Sequence, residues 1–243
     1  MSTAIIPSRF GSSRFEGKPL ALLAGKSMIQ RVYEQTEKAI NITKVVVATD
    51  DLRIEAAVKA FGGEVVMTSD RLKSGTDRVA NAAEILGLSP DDIVVNVQGD
   101  QPIFNPACLD ELLAPFTHDP GLQMSTLAYQ ITDQRELTDP KDVKVCFDRK
   151  GFALYFSRSQ IPYPRDGEKE VPTYKHLGFY AYAKGFLDTI SALPVSELED
   201  IEKLEQLRVL EHGYRIKVVV TEHDSPEVDL PEDIERIERI IAR

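Results

Sequence analysis

The segment of residues 7–20, PSRFGSSRFEGKPL, carries a cluster of cations with glycines between them. These cations and glycines are Arg9, Arg14, Lys18, Gly11 and Gly17. Glycine lets backbone N–H groups approach an anion, and guanidinium and ammonium groups neutralise phosphate oxygens. The pattern therefore predicts a polyphosphate-binding loop. It matches neither the G-x-x-x-x-G-K-[ST] nor the G-x-G-x-x-G pattern, and a solvated basic loop is the alternative.

Two acids could complete such a site. Asp100 follows the apolar run of VVNVQGDQPI (94–103), and Asp229 lies in SPEVDLPED. A carboxylate is repelled by a polyphosphate unless a cation lies between them, and Mg²⁺ is commonly bound by one or two carboxylates plus phosphate oxygens. Both acids are therefore candidate Mg²⁺ ligands for metal-assisted phosphate transfer. The alternatives are a turn residue for Asp100 and the N-cap of the final helix for Asp229.

The first 130 residues contain the elements that must position this loop and Asp100. Four short apolar runs predict strands at 3–7, 44–50, 64–69 and 92–98. Helical patterns separate them, and Ser74 is a candidate N-cap for the third helix. Near-continuous apolar strands that alternate with helices indicate a doubly wound, mostly parallel α/β sheet. Ligands bind at the carboxyl ends of strands in such sheets, where the basic loop and Asp100 are expected.

The second half is richer in β structure. Its predicted elements are a hairpin around DRKG (143–162), an aromatic strand (176–186), a helix (198–213), a strand (215–222) and an end helix (231–243). No Gly- or Ser-rich linker interrupts the chain. We therefore interpret 1–243 as one α/β domain with a β-rich insertion, whose exposed aromatic hairpin is a candidate dimer surface.

Composition excludes several classes of function. The net charge of −10 argues against binding along a nucleic-acid backbone. The two cysteines have no C-x-x-C spacing, which argues against a disulfide framework and fits a reducing compartment. No stretch reaches the roughly 20 apolar residues of a membrane span. The amino terminus does not resemble a signal peptide. We expect a soluble, cytoplasmic protein.

Beyond these patterns, the sequence resembles the CMP-Kdo synthetases, or 3-deoxy-manno-octulosonate cytidylyltransferases, of bacterial lipopolysaccharide synthesis. The segments that carry the resemblance run in order from residue 5 to residue 234: IIPSRFGSSRFEGKPL, VATDD, SGTDR, VNVQGDQP, ALYFSRSQIP, KHLGFYAY, LEQLRVLEHG and VDLPEDI. The resemblance implies that the anomeric hydroxyl of an eight-carbon acidic sugar attacks the α-phosphate of CTP. The products would be the CMP-sugar and pyrophosphate, and the enzyme would be a homodimer that uses Mg²⁺.

The resemblance assigns nucleotide binding to residues 1–130. Arg9 and Lys18, with Arg14, would hold the triphosphate, while Ser74 and Gly75 would form the cytosine pocket with help from Arg78. Asp50 falls in the nucleotide-site motif without an assigned contact, and Gln98 would contact both nucleotide and sugar. Asp100 and Asp229 would bind Mg²⁺. Lys18, Asp100 and Asp229 would form the catalytic set.

Residues 131–243 would bind the sugar and form the dimer. Arg158 suits the sugar carboxylate because guanidinium groups pair bidentately with carboxylates. The resemblance implies sugar-hydroxyl contacts for four further residues: His176, Tyr180, Glu205 and Gln206. Arg158 covering a sheet edge, His176 as an interior histidine, Tyr180 at a dimer interface and Glu205 on an exposed helix face are the alternatives.

Four positions depart from the family's common pattern: Glu16, Gln101, Lys175 and Leu230. The combination GDQP…YKHLG is similar to the branch that acts on 8-amino-Kdo, in which an amine replaces the terminal hydroxyl of the sugar. A preference for that sugar is a hypothesis. Rival functions are another sugar nucleotidyltransferase, such as an acylneuraminate cytidylyltransferase, and a nucleotide-binding protein of the same fold without turnover.

Overall fold

A computed structural model describes residues 1–11, 15–72, 74–165 and 171–242, so the predicted phosphate ligand Arg14 lies outside the described residues. The first half contains β1 (Ser2–Ser8), β2 (Leu22–Leu23), β3 (Lys26–Ser27), α1 (Met28–Thr36), β4 (Lys44–Thr49), α2 (Leu52–Ala60), β5 (Val65–Met67), α3 (Gly75–Ile85), β6 (Ile93–Asn96), α4 (Ala107–His118) and β7 (Met124–Gln130). The second half contains α5 (Gln134–Thr138), β8 (Lys144–Phe147), β9 (Ala153–Ser157), β10 (Tyr174–Ala183), α6 (Lys184–Ala192), α7 (Glu197–Glu202), α8 (Gln206–Glu211), β11 (Lys217–Thr221) and α9 (Asp233–Ile241).

A central sheet contains strands from both halves in the order β11-β7-β10-β6-β1-β4-β5. Strands β6, β1, β4 and β5 are parallel, as are β11 and β7, while β10 runs antiparallel to both of its neighbours. In the register, Ile5 lies opposite both Val46 and Asn96. This alignment brings the carboxyl ends of β1, β4 and β6 to one edge. The mostly parallel α/β sheet that the sequence predicts is confirmed.

Helices cover both faces of this sheet, as continuous apolar strands require. On one face, Ile6 and Val95 pack with residues of α1, α2 and α4. On the other face, Ile5 and Val94 pack with residues of α3 and α6. Alternate residues of each strand therefore enter different cores, which holds the strand ends rigidly. None of the described helices has the length and apolar composition needed to cross a membrane.

The β-rich segment contains the hairpin predicted around DRKG. Strands β8 and β9 pair antiparallel, and the turn between them is closed by a hydrogen bond from the Gly151 N–H to the Asp148 carbonyl. Strand β8 also pairs with β10, which joins the hairpin to the main sheet.

The single helix predicted over 198–213 is wrong. The structure has α7 and α8, separated where Lys203 adopts a left-handed conformation with φ of 54°. A continuous helix would place Ile201, Leu204 and Leu207 along one apolar face, but Ile201 is 68% exposed whereas Leu204 and Leu207 are buried. The break turns residues 203–206 towards the carboxyl edge of the sheet. The predicted aromatic strand also ends early, at Ala183, and α6 begins at Lys184.

Candidate active site

A crevice with a volume of about 370 Å³ lies at the carboxyl edge of the sheet. It is lined by β6, the start of α3, β10, the α7–α8 break and the segment before α9. Nine of the predicted site residues line it: Gly75, Gln98, Asp100, Arg158, His176, Tyr180, Glu205, Gln206 and Asp229. Residues far apart in the chain thus meet in one place, which is where ligands bind in open α/β sheets.

Lys18 joins the basic loop to the acids. Its ammonium Nζ lies 2.8 Å from Asp100 Oδ2 and donates to the Val228 carbonyl at 3.0 Å. Gly17, just before it, has φ of 71°, a conformation that favours glycine. The Val228 N–H donates to the Asp100 carbonyl at 2.9 Å. These three bonds hold the basic loop, the end of β6 and the segment that carries Asp229 together.

Asp229 is not the N-cap of the last helix. Helix α9 begins at Asp233, and the Asp233 carboxylate accepts the backbone N–H groups of Asp229 and Leu230 at 2.9 and 3.0 Å. Asp233 therefore supports the loop that presents Asp229. The alternative that Asp229 serves as a cap is wrong, and Asp229 lines the crevice with Asp100.

These two acids fit a Mg²⁺ ion that arrives with a nucleotide. Among the described residues, no three carboxylate, histidine or cysteine side chains are placed to hold a metal ion together. Mg²⁺, however, usually keeps water and substrate phosphate oxygens beside one or two carboxylates. Asp100 and Asp229 supply that number of carboxylates.

Arg9 is fixed against the start of α3. Its Nη2 donates to the carbonyls of Leu72 and Ser74 at 2.7 and 2.9 Å. Burial, followed by the nearby charge of Arg78, lowers the pKa of Arg9, while acids including Asp50 oppose this shift. Ser74 caps α3 in a reciprocal capping box with Asp77. The N–H groups of the first turn and the Arg9 guanidinium therefore lie side by side, an arrangement suited to an anion.

Asp50 and Arg78 form an ion pair near the start of α3. The Arg78 Nη2–Asp50 Oδ2 distance is 2.9 Å, and Arg78 has no exposed surface. The pair connects α3 to the end of β4, and neither side chain lines the crevice. Ser74 likewise uses its hydroxyl in the capping box. Direct nucleotide contacts for these three residues stay predictions.

Gln98 and Gln101 both bind the backbone of β10, but only Gln98 lines the crevice. Gln98 Nε2 donates to the Gly178 carbonyl at 3.0 Å. Gln101 is fully buried, and its Nε2 donates to the Leu177 carbonyl and to Glu227 Oε1, both at 2.8 Å. Gln101 thus acts on the crevice through Glu227.

Glu227 is a site residue that the sequence interpretation missed. It lies two residues before Asp229, and in an extended segment that spacing places side chains on the same side. Glu227 is solvent-exposed and lines the crevice. Desolvation there, followed by the charge of Asp100, raises the pKa of Glu227 to about 7.

The residues predicted to bind the sugar line one wall of the crevice. His176 Nε2 lies 2.8 Å from Thr126 Oγ1, and burial lowers the pKa of His176 to about 3, so the ring is neutral near pH 7. Burial raises the pKa of Tyr180, so its hydroxyl stays protonated. Glu205 accepts a hydrogen bond from Thr76 Oγ1 at 2.5 Å. This wall therefore presents neutral hydrogen-bonding groups together with one carboxylate.

Arg158 is held by backbone carbonyls. Its Nε donates to Glu202 O at 2.7 Å, and its Nη1 donates to Pro140 O at 2.9 Å. Guanidinium has five N–H donors in a planar fork, so these contacts fix its plane without using every donor. The group lines the crevice and can still receive a carboxylate.

Comparisons with known proteins identify the family. A family model described as Cytidylyltransferase matches residues 3–218. The chain is 63% identical to a 3-deoxy-manno-octulosonate cytidylyltransferase of Desulfatibacillum aliphaticivorans, over 98% of this chain and 97% of the relative. It is 54% identical to an 8-amino-3,8-dideoxy-manno-octulosonate cytidylyltransferase of Shewanella loihica, over 99% of this chain and 98% of the relative.

A solved structure gives the same result. The CMP:2-keto-3-deoxy-manno-octonic acid synthetase complexed with CTP is 42% identical and superposes with a TM-score of 0.92, over 99% of this chain and 98% of that one. The protein thus shares the fold of that synthetase, and its sequence matches the relatives along almost its whole length. The chain belongs to the cytidylyltransferase family, in the group that contains the Kdo and 8-amino-Kdo enzymes.

Proposed function

We propose that the protein transfers CMP from CTP to the anomeric hydroxyl of Kdo or 8-amino-Kdo. The hydroxyl oxygen bonds to the α-phosphorus, the bond from that phosphorus to the bridging oxygen breaks, and pyrophosphate leaves. The proton of the hydroxyl goes to solvent or a nearby base. The observation that carries the proposal is the meeting of Asp100, Asp229 and the sugar-side residues in one crevice.

On the nucleotide side, the chain's contribution is positioning and charge. Arg9 and the first turn of α3 offer donors to phosphate or base oxygens. Lys18 holds the Asp100 carboxylate and brings a positive charge to the point where the triphosphate must enter. Asp100 and Asp229 would hold Mg²⁺, which would neutralise charge on phosphate oxygens.

On the sugar side, Arg158 would bind the sugar carboxylate in the plane that the backbone carbonyls set. His176, Tyr180, Glu205 and Gln206 would hydrogen-bond the hydroxyls of the sugar. The neutral state of His176 supports this role, since a neutral imidazole can both donate and accept.

We further propose a cytoplasmic homodimer. Two free cysteines fit a reducing compartment. Strand β9 pairs only with β8 in the described sheet, and on its other edge the Ala153 N–H donates to the Ile216 carbonyl, so that edge has no strand partner beyond Ala153. Leu154 on β9 and Tyr163 beyond it are 64% and 81% exposed. An open edge with exposed apolar side chains favours a partner surface, and sedimentation equilibrium will measure the mass in solution.

The activity is tested by incubating purified protein with Mg²⁺, Kdo or 8-amino-Kdo, and each of CTP, UTP, GTP and ATP in turn, and measuring pyrophosphate release. Of the four nucleotides, only CTP is expected to support pyrophosphate release, and EDTA is expected to abolish that release. Release with UTP or GTP but not with CTP contradicts the proposal. Nucleotide binding without pyrophosphate release would instead support the non-catalytic alternative.

A further inference from the structure

A second chamber, with a volume of about 340 Å³, opens beside the crevice. The two spaces share the side chains of Lys141, His176, Glu227 and Asp229. Eight carboxylates line the second chamber, against four lysine or arginine side chains. We call it the acidic chamber. A ligand group that extends from the crevice into this chamber enters a region of excess negative charge.

Most of these carboxylates already have a cation. Five of them lie within 3.5 Å of a lysine or arginine nitrogen, and Lys175 Nζ alone contacts both Glu136 and Asp224. Apart from the candidate metal ligand Asp229, two carboxylates remain. In the ranges that the structure describes, Asp142 and Glu227 have no ion pair. Of these two, only Glu227 also lines the crevice.

Glu227 is held in place from several directions. Gln101 Nε2 donates to Glu227 Oε1 at 2.8 Å, and the neighbouring Val228 N–H is bonded to the Asp100 carbonyl. Arg236 Nη2 donates to the Glu227 carbonyl at 2.8 Å. No described residue donates to Glu227 Oε2. One oxygen of a fixed carboxylate is therefore available to a ligand.

The Gln101 amide binds and orients the Glu227 carboxylate. Its Nε2 serves both Glu227 and the Leu177 carbonyl, and its Oε1 accepts from Ser225 Oγ at 3.0 Å. A carboxylate at position 101 would have no N–H to donate and would place two negative charges in contact, which is unfavourable in a buried site. The amide therefore orients Glu227 without placing a second carboxylate against it.

We propose that Glu227, held by Gln101, binds the terminal ammonium of an amino-sugar acceptor and so selects 8-amino-Kdo over Kdo. This inference rests on the proposed function. A primary alkyl amine is protonated near pH 7, and its hydrogen bond to a carboxylate is stronger than that of a neutral hydroxyl. A role as a third metal ligand does not fit, since no trio of ligating side chains exists among the described residues.

The test compares kcat/KM for 8-amino-Kdo and Kdo, with saturating CTP and Mg²⁺, in the wild type, Glu227→Gln and Asp142→Asn. Glu227→Gln keeps the shape of the side chain and removes its charge. Asp142→Asn removes one charge from the same chamber away from Gln101. We expect Glu227→Gln to lower the ratio of 8-amino-Kdo to Kdo by about tenfold or more, chiefly through the KM for 8-amino-Kdo, and Asp142→Asn to change it less than about twofold.

Thermal unfolding of each variant reports whether it is folded. An unchanged ratio in Glu227→Gln overturns the inference, as does an equal fall in Asp142→Asn. A wild-type preference for Kdo overturns it too, while the proposed cytidylyltransferase activity stands. If the wild type transfers CMP to neither sugar, the proposed function itself fails.

Discussion

At the scale of single residues, Asp100 is one of the two proposed Mg²⁺ ligands. It carries a negative charge into the crevice and contacts Lys18. We expect Asp100→Asn to lower kcat by about a hundredfold or more, as when a charge-stabilising group is removed from a transition state. Pyrophosphate release measures the effect.

Asp70→Asn is the matched control, because Asp70 is exposed and lies outside the crevice. Both variants should unfold at close to the wild-type temperature, since each exchange is isosteric. Near-normal turnover in Asp100→Asn would refute the role of this carboxylate at the reacting phosphate.

His176 predicts how stability depends on pH. Burial lowers its pKa to about 3 in the folded protein, whereas an unfolded histidine titrates near about 6.5. Between these values the unfolded chain binds a proton that the folded chain does not. The contribution of His176 to the free energy of unfolding therefore falls as pH drops below about 6.5, with a slope that approaches about 1.4 kcal/mol per pH unit. The raised pKa of Glu227 contributes with the opposite sign over much of the same range.

The difference between the wild type and His176→Gln in urea denaturation between pH 7.5 and pH 4.5 measures this contribution. His176→Gln should show a shallower loss of stability on acidification than the wild type. His118→Gln, a change on an exposed helix end, should leave the slope as it is. Parallel curves for the wild type and His176→Gln would contradict the assignment.

At the scale of elements, the break between α7 and α8 predicts an order of stability for two variants of Lys203. A continuous helix would give the opposite order. Lys203 has φ of 54°. In this left-handed conformation glycine is favoured over alanine by about 1 kcal/mol, whereas inside a continuous helix alanine is favoured by about the same amount. We expect Lys203→Gly to be more stable than Lys203→Ala, as measured by urea denaturation. The reverse order would indicate the continuous helix.

The same break shows why this element could not be predicted from sequence. The residues LEDIEKLEQLRVLEHG carry helical spacing throughout, and Lys203 has no turn chemistry of its own. The break is stabilised by contacts across it: Glu199, on α7, pairs with Arg208, on α8, at 2.7 Å between Oε2 and Nε. A local pattern does not contain such a contact. The parallel strands, by contrast, were predictable because burial on both faces leaves a continuous apolar run.

The candidate site likewise contains residues that could be predicted from the sequence and residues that could not. Asp100 could be placed because it follows a buried strand, and parallel strands end at a common edge. The nucleotide and sugar assignments came from the resemblance, and the structure brings most of those residues to one crevice. The pair formed by Gln101 and Glu227 could not be foreseen, because 126 positions separate its members and only the folded chain joins them.

At the scale of the whole molecule, the last helix, α9, packs against the segment that carries Asp229. Ile237 on α9 is fully buried in a small core with Leu23, Met28 and Val228. Val228 adjoins Asp229. We expect Ile237→Ala to lower the free energy of unfolding by about 2–4 kcal/mol, because it leaves a cavity, and to raise the KM for CTP as the segment before α9 loosens.

Ile240→Ala is the control on the same helix, because Ile240 is 39% exposed, and it should have much smaller effects on both quantities. Urea denaturation and pyrophosphate release measure them. If Ile237→Ala lost stability but kept the wild-type KM for CTP, α9 would have no influence on the position of Asp229.

The position of β10 has a consequence for biosynthesis. Its neighbours β6 and β7 end at Asn96 and Gln130, whereas β10 ends at Ala183. On the ribosome, both neighbours emerge well before the strand that separates them. The edges of β6 and β7 that face β10 therefore stay unpaired while the intervening segment is translated, and such edges pair readily with other chains. Chaperones that shield these edges during translation should raise the yield of native enzyme.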